Sequence, residues 1–193
     1  MKQLLSMVVA GAIALLCGCN ATKSLEAPVP ETEMPLTENL AGTYAGEYGS
    51  SPVKLKMDFE SQGNFLRVEG WILQDDVYQQ LPPLIGGAFS VGDEKFFAVM
   101  VDLGGMVKGG NYYESSTVFL IAPVFLFKIK PEGKDLTIEL VTFADFDNNV
   151  FKPVDAGLKL ANHGLVLNSP SELYRMLEKK KYKLLPFAEL RKE

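Results

Sequence analysis

The stretch Val53-Lys-Leu-Lys-Met-Asp-Phe59 decides the fold class of this chain. Val53, Leu55, Met57 and Phe59 fall on one side of an extended backbone, and Lys54, Lys56 and Asp58 fall on the other. A period of two is the mark of a strand with one face on a core and one in water. Ser61-Gln-Gly-Asn64 supplies a turn after it, and Phe65 to Leu73 reads as the second arm of a hairpin. Before it, Ala41 to Tyr48 mixes glycine with aromatic residues as a first strand. Further strands are expected at Asp76 to Leu81, Lys95 to Leu103, Ser116 to Ile121, Val124 to Lys130 and Leu136 to Phe143. Pro131-Glu-Gly-Lys134 forms a turn, because proline presets φ and glycine admits the left-handed position. Short strands at this spacing predict an antiparallel β-sandwich or a small β-barrel.

The period changes near the end. Ser169-Pro170-Ser171-Glu172 places a capping serine, a proline at the first helical position and a glutamate three residues after the cap. A helix over about 170–181 follows, with Leu173, Met176 and Leu177 as its apolar stripe and Lys179 to Lys181 at its negative end. Leu184 to Leu190 returns as a short edge strand, the place where Pro186 is tolerated. The expected class is mainly β (α+β), a single domain over residues 40–193 with a C-terminal helix. The pairs Gly86-Gly87, Gly104-Gly105 and Gly109-Gly110 read as bends or loop positions.

The first residues carry a different signal. Lys2 precedes an apolar run from Leu4 to Leu16, too short for the ~20 residues that span a bilayer. Leu16-Cys17-Gly18-Cys19 follows, and it resembles the lipobox of bacterial lipoproteins: an apolar residue three before the modified cysteine, a small one just before it. Cys17 stands where Ala, Ser or Thr is commoner. The resemblance covers residues 1–19. It implies cleavage before Cys19, acylation of that residue and, with Asn20 next to it, delivery to the outer membrane facing the periplasm. Two or more acyl chains make a stable anchor. Residues 19–39 carry Pro28, Pro30 and Pro35 among Glu26, Glu31, Glu33 and Glu38, and read as a flexible linker reaching at most ~60 Å.

Composition narrows the chemistry. Loss of the signal leaves no free thiol if Cys19 carries lipid, so neither a disulfide nor cysteine catalysis is expected. A core of roughly 150 residues is large enough to hold without staples. Removing Lys2 takes the net charge from −5 to −6, which argues against nucleic acid as a partner. His163 is the single histidine, sits in Asn162-His-Gly164 and reads as a turn residue. Asp145-Phe-Asp147-Asn-Asn149 starts like a calcium loop. Val150 occupies the sixth position and Ala156 the twelfth, so it reads as a turn, and no metal or cofactor is expected. Acidic pairs such as Asp75-Asp76 and Asp93-Glu94 are read as surface turns, and no catalytic residue is assigned.

The longest apolar stretch after the signal, Val118 to Phe127, is read as adjacent strands buried on both faces. Phe119, Phe125 and Phe127 within it are the candidate ligand or partner surface. The functional expectation is a membrane-anchored binding module for an apolar ligand or an envelope protein. The alternatives are a carboxylate-dependent hydrolase without a recognisable motif and a purely structural part of an envelope assembly.

Overall fold

A computed structural model describes residues 22–24, 32–102, 125–147, 150–153, 160–161, 164–167 and 170–193. In chain order the elements are β1 (Thr22–Ser24), α1 (Met34–Asn39), β2 (Gly42–Tyr48), β3 (Ser51–Glu60), β4 (Phe65–Gln74), β5 (Val77–Gln80), β6 (Leu84–Val91) and β7 (Glu94–Val101). They continue with β8 (Phe125–Glu132), β9 (Asp135–Thr142), β10 (Ala144–Asp147), β11 (Val150–Pro153), β12 (Leu160–Ala161), β13 (Gly164–Leu167), α2 (Pro170–Glu178) and β14 (Lys183–Lys192).

The expected hairpin forms over β3 and β4, with Val53 opposite Ile72 and Glu60 opposite Phe65. From it the sheet runs β3-β2-β14-β9-β8-β7-β6-β4 and closes through the β3–β4 pairing. The fold is therefore a closed, eight-stranded, antiparallel up-and-down barrel rather than a sandwich. β5 is one extra strand, laid along the second half of β4. Its two-residue turn, Asp75-Asp76, has φ of 48° and 61°, the mirror-image turn that matches strand twist and that aspartate tolerates. Two small sheets accompany the barrel, β10-β11 and β1-β13-β12.

Alternation sorts the side chains into two apolar layers. Inside the barrel, Tyr44, Val53, Met57, Leu66, Phe97 and Phe127 belong to one buried cluster. Eight strands leave an interior that side chains can fill or that can hold one small ligand. Outside, Phe89, Phe96, Leu126 and Val141 form a second cluster, roofed by Leu173, Met176 and Leu177 of α2. That helix ends at Lys180, φ 51°, where Lys181 N–H donates to Met176 O at 3.0 Å and Lys180 N–H to Leu177 O at 3.0 Å. This is the Schellman closure, with lysine in the position glycine usually takes.

Three sequence expectations change. Residues 32–39, placed in the linker, are packed structure: Thr37 is 0% exposed, and Leu36 and Leu40 pack into the barrel end. β4 pairs with β6 only from Leu66 to Val68, so β6 beyond Gly86 needs another partner. The N-terminal segment supplies it with one backbone group and two side chains. Glu33 N–H donates to Ala88 O at 2.9 Å, Ala88 N–H to Thr37 Oγ1 at 3.1 Å and Ser90 N–H to Glu33 Oε1 at 2.8 Å. Thr32 exchanges two further bonds with Asn64 of the β3–β4 turn. Proline and acid content hid this strap because its contribution lies in a few buried contacts, not in a periodic pattern.

Gly86-Gly87 lies within β6, not in a bend. A Cβ on Gly86 would sit 2.2 Å from Ala98 O, and one on Gly87 2.0 Å from Thr32 Cγ2. Close approach, not chain reversal, selects these glycines. Finally, β14 is not an edge strand: it joins β9 to β2 and closes the barrel. Pro186 is accommodated at a bulge between Pro186 and Ala188, outside the four-residue ladder from Glu189 to Lys192 that β14 shares with β2.

Candidate functional site

The barrel's two ends differ. The strap lies at the end where β2 begins and packs Leu36 and Leu40 there, beside the partly buried Ala41 and Phe59. At the opposite end Tyr48, Leu84, Phe125 and Phe187 are only partly buried against the interior cluster. Leu185 pairs with the interior residue Leu140 and is 41% exposed. β14 causes this asymmetry. Its ladder to β2 begins at Glu189, so among the described residues no barrel strand covers the β2-facing edge of 184–187. The bulge adds one residue there and turns Phe187 toward Phe127 and Tyr48, with ring centroids 4.9 Å away in both cases. Such tilted contacts are the favoured geometry for aromatic pairs.

A groove of about 550 Å³ lies along the bulge. Pro186 to Glu189 form its floor, residues 137–139 of β9 one wall, and Gly46, Glu47 and Gly49 the other. A Cβ on Gly46 would lie 1.9 Å from Glu189 O, so only glycine lets β2 approach the kinked strand this closely. Gly49, φ 61°, has nothing within 4 Å of its Cβ position, which leaves that wall low. Glu47 and Glu189 stand directly opposite each other on the rim, a repulsive cross-strand pair with no cation bonded to either among the described residues. Glu139, on the other wall, is held by Lys130 at 2.8 Å.

The candidate residues divide three ways. Phe127 is buried at 9% exposure in the barrel, and Phe125 is half-buried at the open end. Phe119 lies outside the described residues, as do Cys19 and His163. Asp145 and Asp147 lie on β10, paired with Lys152 and Val150 of β11. Phe187, the residue that joins the interior to the groove, was not selected from sequence. The nearest mark in the sequence is Pro186 inside an otherwise strand-like run, which reads as an edge signal and not as a site.

Other charged groups have structural work. Glu94 accepts from Lys128 Nζ at 2.6 Å and from the Tyr182 hydroxyl at 2.6 Å. The Lys128 bond first and the Tyr182 bond second hold its carboxyl down at about 2, and burial followed by the Glu94 bond pushes the Tyr182 hydroxyl up. Tyr182 also sets its ring edge-on to Phe96, so this cluster clasps the α2–β14 connection to the barrel wall. Arg67 Nη1 lies 2.7 Å from Oδ2 of the buried Asp102, tying β4 to the end of β7. The opposed Glu47 and Glu189 are both exposed. Among the described residues no group of three or more His, Cys, Asp or Glu side chains is placed to hold a metal ion. No protein-family model, no curated sequence and no solved structure matches the chain.

Proposed function

We propose that this protein is a lipid-anchored binding module of the bacterial envelope, held by Cys19 in the outer membrane and facing the periplasm. The observation that supports binding is the apolar end of the barrel that the described residues leave incompletely covered, where Leu185 is exposed and Phe125 and Phe187 are half-buried. Mouths of β-barrels are a recurrent place for ligands, and exposed apolar patches mark interaction sites. The anchoring half rests on Leu16-Cys17-Gly18-Cys19.

Two measurements test the halves separately. Metabolic labelling with a fatty acid should mark the wild type and not Cys19→Ala; equal labelling removes the anchor. For binding, N-phenylnaphthylamine should show a saturable fluorescence increase with the wild type that Leu185→Asp weakens without loss of the folded state. A flat titration of the wild type removes the apolar site.

A further inference from the structure

We infer that the groove along the β14 bulge takes an extended polypeptide segment of another envelope protein, one that places an apolar side chain on Phe187 and basic side chains at the rim. The inference rests on the binding-module reading and gives its occupant a chemistry. Pro186 and the half-buried Phe187 give the groove its apolar side chains, Ile138 and Ala188 being buried in the interior cluster, and its rim carries Glu47 and Glu189 beside Glu139, which Lys130 holds. About 550 Å³ is the size of a small-ligand pocket, enough for a few side chains.

Charge complementarity selects the occupant. Glu47 and Glu189 repel each other across the strands, and no bonded cation offsets this among the described residues. A lysine or arginine from a partner relieves that repulsion and speeds encounter. A second copy of this chain brings the same acidic rim and a net charge of −5, so self-association here is opposed. The chain's own linker is acidic as well, with Glu26 and Glu31 against Lys23. A neutral acyl chain matches the floor and leaves the rim unanswered. Added strand pairing is not the mode, since Pro186 brings no N–H to that edge of β14. Recognition is through side chains, with Gly49 leaving room for the incoming backbone.

The test uses the lipidated protein in nanodiscs of zwitterionic lipid and a fluorescent pentapeptide alternating lysine with leucine and phenylalanine. Its anisotropy should rise saturably, and the rise should weaken as salt increases. Glu47→Gln combined with Glu189→Gln should raise Kd about fivefold, the effect of losing two exposed ion pairs. Thr137→Trp, which fills the groove from an outward-facing position, should abolish binding. Glu38→Gln, on α1 at the strap end, should change nothing. Equal binding of the same peptide with glutamate for lysine overturns the inference. So does an unchanged Kd in the double glutamine variant, whose exposed positions leave the fold undisturbed. If the peptide fails while N-phenylnaphthylamine still binds, this inference falls and the binding-module reading stands; failure of both removes both.

Discussion

Replacing Thr37 with valine should destabilise the barrel far more than its place in a proline-rich, acidic segment would lead one to expect. Thr37 is fully buried, and its Oγ1 accepts the Ala88 N–H at 3.1 Å. Ala88 is itself 0% exposed, so valine leaves that N–H buried with no replacement from water. Ala88 O keeps the Glu33 N–H and stays satisfied. The shape is nearly conserved, so the loss is the 3.1 Å bond, a longer 3.4 Å bond from Thr37 Oγ1 to Ala88 O and the desolvation of one orphaned donor, about 1–3 kcal/mol. Thr37→Ser keeps the bond and removes a methyl group, about 1 kcal/mol. For a chain of this size each kcal/mol corresponds to roughly 2–4 °C in Tm. Urea unfolding of residues 20–193, followed by Trp71 fluorescence and circular dichroism, gives the comparison, with the exposed Glu38→Ala as the control. Starting the chain at Leu40 removes Leu36, Glu33 and Thr37 together and should cost more than Thr37→Val alone. If Thr37→Val and the truncated chain both unfold within 0.5 kcal/mol of the parent, an error-sized difference for such measurements, the strap is an ornament and the closure argument is wrong.

Three other outcomes follow from the same geometry. The carboxyl of Glu94 is held at about 2, below its ordinary 4.5, so its clasp stabilises the fold above pH 4.5 and is lost as pH falls toward 2. Urea midpoints of Glu94→Gln should therefore vary less over that window than those of the parent, and parallel curves would contradict the clasp. Lys180→Gly should raise stability by about 1 kcal/mol, because glycine carries no left-handed penalty at φ 51° while the exposed ion pair to Glu94 at 3.6 Å is worth little. A lower Tm would show that Lys180 matters through its charge. Gly46→Ala should destabilise by at least about 2 kcal/mol, since its Cβ would lie 1.9 Å from Glu189 O and the bulge must move. A neutral result in thermal unfolding would mean that β14 is not held against β2 as described.

The strands that sequence reveals best are those with one wet face. The β3–β4 hairpin was legible because Lys54 and Lys56 alternate with Val53, Leu55 and Met57, and water on one side enforces that alternation. α2 was legible because Pro170 and the stripe of Leu173, Met176 and Leu177 fix both its start and its buried face. β6 was not, because its inner residues include Gly86 and Ala88 and its outer face is buried under α2, which removes the contrast between faces. The closing role of β14 was hidden for another reason. Pro186 reads locally as an edge signal, and only the long-range pairing with both β9 and β2 shows that a bulge absorbs it. Sandwich and barrel share the same strand pattern, and the difference between them is that single closing contact. Of the candidate surface, Phe125 and Phe127 were marked by sheer apolar density. Phe187 lies alone between Pro186 and Ala188, and its importance arises from a bulge that sequence does not announce.

Native mass spectrometry of the detergent-extracted protein tests the central claim most directly, since one spectrum reports both the anchor and the occupant. The account predicts a chain beginning at an acylated Cys19, with an apolar or basic-apolar species retained near one per chain and lost in Leu185→Asp. A chain with unmodified Cys19 would contradict the anchor. A bare acylated chain, or one whose retained species is indifferent to Leu185→Asp, would contradict the binding site at the open end of the barrel.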